Sequence, residues 1–241
     1  MHQTKIKAIV LDAGGVILYP NFDWIATQAA SFGIRLTKKE LHTGYYRAIY
    51  AVDLDKDTYP TGLSLKSLQT WIWLFEKLFS EAGIPSSKRK EAANALAHAA
   101  ESNFPRESDI YHWTMPNVRK ELQTLQNSGF LLAVASNNDG ALNAQLTSVG
   151  IADLFLVKLD SEIEGVRKPN PELLLRAARA LGLSPKECLY IGDVDRVDGA
   201  AARGANMHFS LMDPLNQPRP TNPLIIPNLE AICRYFTPDV Q

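Results

Sequence analysis

The sequence predicts an α/β protein with a doubly wound parallel sheet and an inserted α-helical domain. From residue 114 to the C-terminus, short runs that are apolar on both faces alternate with amphipathic helical patterns. Such alternation is typical of βαβ units, in which helices cover both faces of a parallel sheet. Residues 18–113 instead carry four helical patterns and no strand pattern. We therefore expect one domain formed by 1–17 and 114–241, interrupted by a helical domain at 18–113.

The strand predictions rest on four short, mostly apolar runs. They are IKAIVL at 6–11, FLLAVAS at 130–136, LFLVKLD at 154–160 and CLYIG at 188–192. Helical patterns at 118–127, 140–149 and 171–181 separate these runs, and further helix and strand patterns continue to Tyr235. Asn170 is the predicted N-cap of the third of these helices, and Pro171 is its predicted first residue.

The inserted domain is predicted from helical periodicity and from the breakers between its helices. The helical patterns cover 23–32, 37–51, 65–79 and 87–102. Thr37-Lys38-Lys39-Glu40 has the composition of a capping box, which marks the beginning of the second helix. The polar stretch DLDKDTYPTG at 53–62 is predicted to be a loop, because Pro60 and Gly62 break helices.

Composition argues against several classes of protein. The formal net charge of −1 gives no electrostatic reason to bind nucleic acid or an anionic membrane. Two cysteines, Cys188 and Cys233, are too few for a disulfide framework or a cysteine-based zinc site. No signal-peptide pattern and no long apolar run is present. We therefore expect a cytoplasmic protein without nucleic-acid or membrane partners, and the sequence leaves its oligomeric state open.

Polar residues follow each of the four predicted strands, where strands of a parallel sheet meet at one edge. They are Asp12 after the first strand, Ser136 and Asn137 after the second, Lys168 in the loop after the third, and Asp193 and Asp198 after the fourth. Turn chemistry explains any one of these residues alone. Their joint occurrence predicts a functional site, because ligands of open α/β sheets bind at the carboxyl ends of the strands.

These residue types fit the transfer of a phosphoryl group from a small phosphorylated molecule. A carboxylate that attacks a phosphate dianion at about 3.5 Å meets a repulsion of about 9 kcal/mol at an effective dielectric of 20. A divalent cation held by Asp12, Asp193 and a backbone carbonyl would offset that repulsion. Hard oxygen ligands without His or Cys favour Mg²⁺. Lys168 adds a positive charge, Ser136 offers a hydrogen bond to phosphate oxygens, and Asp12 is then the nucleophile.

Four motifs resemble those of the haloacid dehalogenase superfamily, specifically its phosphatase-like branch with a helical cap of the C1 type. The motifs are LDAGGVIL, ASNND, GVRKPNPELLLRAARALGLSP and IGDVDRVDGAAARGA. The resemblance implies a Rossmann-like core, a Mg²⁺ cofactor and a phosphoric monoester hydrolase in which 18–113 form the cap. It implies catalytic roles for Asp12 and Lys168, and substrate binding by Ser136, Asn137 and Lys168. It also implies Mg²⁺ ligation by Asp12, Asp193 and the Gly14 carbonyl, with Asp198 acting through water.

Gly14 departs from the pattern of the family, whose phosphatases usually carry a second Asp there as general acid and base. Two alternatives stay open, and this departure supports only the first of them. One is a catalytically weak module that binds a phosphometabolite or a protein, and the other is a 2-haloacid dehalogenase. Dehalogenases typically have an aromatic residue at the position of Gly14 and Ser-Asn types at Gly192-Asp193. A substitute acid could come from the cap, from Asp139 or from Asp195.

Overall fold

The computed structural model of the chain describes residues 6–54, 68–104 and 110–236. The chain divides into two compact units, one formed by Met1–Leu18 with Thr114–Gln241 and the other by Tyr19–Trp113. We refer to them as the sheet unit and the inserted unit. The roles of the two units as catalytic core and cap stay predictions.

The inserted unit is mainly helical in its described residues, which also contain one isolated antiparallel bridge between Tyr19 and Trp113. Its helices are α1 (Phe22–Ala30), α2 (Lys38–Leu54), α3 (Leu68–Glu81) and α4 (Ser86–Asn103). The capping box at the beginning of α2 is confirmed, because the Thr37 N–H donates to Glu40 Oε2 at 2.8 Å and the Glu40 N–H donates to Thr37 Oγ1 at 3.2 Å. Most of the predicted polar loop, including Pro60 and Gly62, lies outside the described residues.

The sheet unit contains six parallel strands in the order β3-β2-β1-β4-β5-β6. The strands are β1 (Ala8–Leu11), β2 (Leu131–Ser136), β3 (Val157–Asp160), β4 (Cys188–Gly192), β5 (His208–Met212) and β6 (Leu224–Ile226). The predicted α/β fold class is confirmed. The chain order reverses between β1 and β4, and this switch point is where open α/β sheets leave a crevice for a ligand.

Helices connect and flank the strands of this sheet. They are α5 (Val118–Asn127), α6 (Leu142–Ser148), α7 (Ser161–Glu164), α8 (Glu172–Ala180), α9 (Ala200–Ala205) and α10 (Ile232–Tyr235). All residues of β1 and β4 are buried, as expected of strands with helices on both faces. One apolar core joins β1, β2 and β4 to the buried faces of α8 and α9.

Two local predictions need correction or refinement. Helix α8 begins at Glu172, one residue later than predicted, and Pro171 precedes it. Asn170 still caps the helix, because its Oδ1 accepts the Glu172 N–H at 3.0 Å. Lys168 does not directly follow β3, since α7 intervenes. Across the part of the chain that the structure describes, no helix combines the length and apolarity that a membrane crossing requires.

Candidate active site

Asp12 lies directly after β1, at the switch point of the sheet. Its N–H donates to the Ile191 carbonyl of β4 at 2.8 Å, and its Oδ1 accepts the Ala13 N–H at 2.8 Å. The chain then folds back, because the N–H groups of Ile17 and Leu18 both donate to the Ala13 carbonyl. Gly15 permits this turn with a φ of 70°, a left-handed conformation that favours glycine. The Asp12 carboxylate is thus fixed at the edge of the sheet and keeps 13% exposure.

The ammonium of Lys168 lies between two carboxylates and is 1% exposed. Its Nζ is 2.9 Å from Asp12 Oδ1 and 2.7 Å from Asp198 Oδ1. It also donates to the Tyr190 hydroxyl at 2.6 Å. Burying a charge is unfavourable unless partners of opposite charge and hydrogen bonds compensate for it. Lys168 satisfies this condition through residues of three different segments of the sheet unit.

The segment after β4 supplies the remaining acidic residues. Asp193 is buried directly after the strand, and Asp198 lies in a π-helical turn, Asp195–Gly199. Asp198 Oδ2 accepts the Val194 N–H at 3.0 Å. Protein donors therefore contact both oxygens of Asp198. This arrangement agrees with the prediction that Asp198 acts on a metal through water rather than directly, a role that stays a prediction.

Asp12, Asp193 and Asp198 form a buried cluster, and each offers one carboxylate oxygen within 4.8 Å of the others. With Lys168 as their charged partner, three carboxylates and one ammonium leave two negative charges when all are ionised. A divalent cation compensates this charge, and hard oxygen donors favour a hard cation. The cluster therefore fits a metal ion. Gly14 lies in the same loop as Asp12, and ligation by its carbonyl stays a prediction.

Ser136 and Asn137 meet this cluster at the end of β2. Ser136 is buried and its side chain hydrogen-bonds Asp12. The Asn137 amide holds the main chain of Lys168, since its Oδ1 accepts the Lys168 N–H at 2.8 Å and its Nδ2 donates to the Lys168 carbonyl at 3.0 Å. Direct contact of Ser136 and Asn137 with a substrate stays a prediction. The observed contacts give both residues a part in placing Asp12 and Lys168.

The charges of the site shift the pKa values of Asp12 and Lys168. Burial raises the pKa of Asp12 above its ordinary value, while the Lys168 charge and the Ser136 hydrogen bond act in the opposite direction. Burial alone would lower the pKa of Lys168, but the carboxylates of Asp12 and Asp198 outweigh it and raise that pKa. Lys168 therefore carries its positive charge at neutral pH.

Sequence reasoning missed Tyr190, which lies in the middle of β4 and is fully buried. Its hydroxyl donates to the Ala135 carbonyl at 3.1 Å and lies 3.3 Å from Asp198 Oδ1. Burial and the nearby carboxylates raise the pKa of Tyr190 well above its ordinary value, so that the phenol is neutral. An apolar strand pattern does not distinguish such a tyrosine from one that only packs.

Asp160 is a second residue that sequence reasoning missed. It is buried at the end of β3 and accepts the N–H groups of Gly140, Leu142 and Glu162 at 3.0–3.1 Å. Its carboxylate thereby joins the loop after β2, which follows Ser136 and Asn137, to the beginning of α7. The rule that predicted the other residues, a polar side chain at the end of a parallel strand, also applies to Asp160.

The structure argues against Asp195 as a substitute general acid. Its Oδ1 accepts from Arg203 Nη1 at 2.9 Å, and its Oδ2 accepts the Thr221 hydroxyl. The carboxylate is 5% exposed and ion-paired with Arg203, so that protein groups contact both of its oxygens. Asp139 lies half-buried in the loop after β2, where its N–H donates to Asn138 Oδ1. An acid role for Asp139 or for a residue of the inserted unit stays a prediction.

Comparisons with known proteins agree with this fold and show the family. A family model described as haloacid dehalogenase-like hydrolase matches residues 6–206. The haloacid dehalogenase-like hydrolase domain-containing protein 3 of Bos taurus is 27% identical over 93% of this chain and 87% of its own length. Phosphatase MT3486 of Mycobacterium tuberculosis is 28% identical over 89% of this chain and 91% of its own length.

A solved structure of a 2-haloacid dehalogenase from Pseudomonas syringae resembles the chain with a TM-score of 0.54 and 20% identity. The similarity covers 95% of this chain and 97% of that one. At this identity the likeness concerns the fold alone. The choice between phosphatase and dehalogenase chemistry therefore depends on the residues of the site.

Proposed function

The chain belongs to the haloacid dehalogenase-like hydrolase family, and from this premise we propose that it is a Mg²⁺-dependent phosphatase of a small phosphorylated metabolite. The observation that carries the proposal is the buried cluster of Asp12, Asp193 and Asp198, in which Asp12 and Asp198 contact Lys168. The similarity to a relative named as a phosphatase supports it. The charges of the cluster fit a divalent cation and, with it, a phosphate dianion.

In this proposal Asp12 is the nucleophile. Its carboxylate oxygen forms a bond to phosphorus while the bond from phosphorus to the leaving oxygen breaks, which gives an aspartyl-phosphate. Water then attacks that phosphorus, releases inorganic phosphate and restores the Asp12 carboxylate. The Ala13 N–H and the Lys168 ammonium, both on Oδ1, hold the carboxylate in a fixed orientation for these steps.

Asp12, Asp193 and the Gly14 carbonyl, with Asp198 through water, would hold Mg²⁺, which reduces the repulsion between the Asp12 carboxylate and the phosphate dianion. Lys168 contributes a fixed positive charge next to Asp12 in a site with little exposure to water, where charges act more strongly. The Ser136 hydroxyl, already next to Asp12, is the proposed donor to the transferred phosphate.

Two observations separate this proposal from its alternatives. A dehalogenase works without a metal and typically has Ser-Asn types at the positions of Gly192 and Asp193, where this chain has a buried carboxylate. Gly14 favours the other alternative, the catalytically weak binding module, because no side chain at that position can protonate a leaving group. The complete set of Asp12, Lys168, Asp193 and Asp198 favours an enzyme instead.

The proposal is tested by phosphate release from a panel of aryl phosphates, sugar phosphates, nucleotides and phosphoglycolate, with and without Mg²⁺. We expect Mg²⁺-dependent turnover that Asp12→Asn abolishes, because an amide cannot form the acyl-phosphate. Rapid quenching with a labelled substrate should place the label on Asp12. The matched control is Asp153→Asn, which makes the same chemical change at an exposed ion pair with Arg119.

Four results would contradict the proposal. Full activity of Asp12→Asn, or a label on another residue, would exclude the covalent step. Phosphate release from no substrate of the panel, together with measurable binding of one of them, would favour the binding module. Release of halide from 2-haloacids would favour the dehalogenase.

A further inference from the structure

The ammonium of Lys168 has a protein acceptor for each of its three N–H donors. A lysine ammonium carries three N–H donors and no acceptor. The three donors point to Asp12 Oδ1 at 2.9 Å, Asp198 Oδ1 at 2.7 Å and the Tyr190 hydroxyl at 2.6 Å. Two of these acceptors belong to the carboxylate cluster. The third, Tyr190, belongs to none of the motifs that carry the proposed chemistry.

Tyr190 is held rigidly enough to fix the position of this ammonium. Its ring is fully buried and stacks on Phe209 of β5, with ring centroids 6.5 Å apart and planes 20° apart. Its hydroxyl donates to the Ala135 carbonyl of β2, so the side chain spans from β4 to the strand on the far side of β1. A phenol has one hydrogen, for which the Ala135 carbonyl at 3.1 Å and Asp198 Oδ1 at 3.3 Å are acceptors, and its oxygen accepts from Lys168.

Without this acceptor, the buried ammonium would lose one of the three partners that the structure gives it. An unsatisfied donor of a charged group is costly, and the side chain would move to find another acceptor. The distances of Lys168 Nζ to Asp12 and to Asp198 would change with that movement. The position of the ammonium between the two carboxylates therefore depends on the hydroxyl of Tyr190.

We propose that Tyr190 is a positioning residue, whose hydroxyl holds the third donor of Lys168 and thereby keeps the ammonium between Asp12 and Asp198. This inference rests on the proposed function, and it refines the role of Lys168 within it. In that position Lys168 orients and neutralises the nucleophile.

The variant that tests this role is Tyr190→Phe, which keeps the ring and its stacking and removes the oxygen. We expect kcat to fall about tenfold or more, since a hydrogen bond to a charged group is lost, with KM within about twofold of the wild type. Thermal unfolding should show that the variant is folded. Ser210→Ala is the matched control, because Ser210 is fully buried on the neighbouring strand β5 and its hydroxyl has no hydrogen-bond partner among the described residues.

A second measurement needs no substrate. Protein labelled with ¹⁵N-lysine should give a ¹H–¹⁵N signal from the Lys168 ammonium, because three acceptors and burial slow the exchange of its protons. Loss of this signal in Lys168→Arg assigns it. We expect Tyr190→Phe to broaden or remove the signal, and Ser210→Ala to retain it. If the wild type releases no phosphate from any substrate, the proposed function fails and this measurement still tests the role of Tyr190.

Three outcomes would overturn the inference. Unchanged kcat and KM in Tyr190→Phe would mean that the hydroxyl only fills space. A lower KM with unchanged kcat would mean that Tyr190 competes with the substrate for a donor of Lys168. An unchanged ammonium signal would mean that the third donor does not depend on Tyr190.

Discussion

A Cβ built on Gly192 would lie 2.3 Å from Cγ of Asp198, closer than two carbon atoms can approach without a bond. Because Gly192 has no side chain, the Asp198 carboxylate lies in the space that a Cβ at position 192 would occupy. From that position Asp198 reaches Lys168 with one oxygen and the Val194 N–H with the other. A glycine is therefore required at position 192 because a side chain there would collide with Asp198. The backbone conformation does not require it, since φ of Gly192 is not positive.

Gly192→Ala is predicted to displace Asp198 and, with it, Lys168. We expect activity to fall at least tenfold and the free energy of unfolding to decrease by about 1–3 kcal/mol, the usual effect of overpacking. The control is Gly204→Ala, in which the nearest atoms are those of the Pro171 ring at 3.2 Å. Urea unfolding and phosphate release would be measured for both. Equal activity of the two variants would contradict this account of Asp198.

The metal assignment predicts different effects for Asp193→Asn and Asp198→Asn. The first change should raise the Mg²⁺ concentration for half-maximal activity by more than tenfold, because it alters a proposed direct ligand. The second should mainly lower kcat, because Asp198 contacts Lys168 and Val194 with its two oxygens. Titration of activity with Mg²⁺ would separate the two effects.

Removal of metal by EDTA should abolish turnover, and Ca²⁺ should inhibit because its coordination is larger and looser.

Because position 14 is a glycine, we predict that the enzyme prefers substrates whose leaving group needs no proton. A positioned general acid contributes about 10²–10⁴-fold, and this position has no side chain to supply it. We expect kcat/KM for p-nitrophenyl phosphate to exceed that for alkyl phosphates by far more than in a relative with both aspartates. Gly14→Asp should narrow the difference. Gly14 is not among the residues with positive φ, so the backbone does not oppose a side chain there.

The outcome for alkyl substrates also tests whether another residue replaces the missing acid. Comparable kcat/KM values for one alkyl and one aryl phosphate would show that a substitute acid exists. Asp195 is a poor candidate for that role, because Arg203 and Thr221 contact its carboxylate oxygens. Asp139→Asn would then be the first variant to examine.

From the burial of His42 we predict that the folded protein loses stability at acidic pH. Burial lowers the pKa of His42 below its ordinary value of 6.5, and its ring lies among those of Tyr19, Phe22 and Tyr46. The folded state therefore binds fewer protons than the unfolded state as the pH falls below 6.5, and the free energy of unfolding decreases there. Thermal unfolding between pH 7.5 and pH 5.5 should show the decrease. His42→Phe should reduce it, whereas His98→Gln, at an exposed side chain, should not.

The residues that lie at the ends of parallel strands could be predicted from sequence. Asp12 and Asp193 directly follow runs whose length and apolar character are typical of buried strands. Parallel strands end at one edge, so these carboxylates had to approach each other once the strands were neighbours. The capping box at Thr37 was predictable for a similar reason, since its two hydrogen bonds join residues three positions apart.

Contacts that depend on the order of the strands could not be predicted in this way. The contact between the Tyr190 hydroxyl and Lys168 depends on the order of the strands, in which β4 lies beside β1 and β2 lies on the other side of β1. The residue pattern within β4 does not contain this order. The same is true of Asn137, whose amide binds the main chain of a residue 31 positions away. Hydrophobic periodicity indicates whether a side chain is buried. It does not indicate which polar atom that side chain contacts in the protein interior.

The sequence alone thus determined the α/β class, the family and the acidic residues at the sheet edge, because local hydrophobic patterns and strand ends are properties of neighbouring residues. The tertiary structure decided that Lys168 is enclosed by Asp12, Asp198 and Tyr190, and that Gly192 leaves room for a carboxylate. These features involve atoms brought together from different strands. Their distances follow from the packing of the whole sheet, in which a shift of one ångström would break a hydrogen bond or close the space at Gly192.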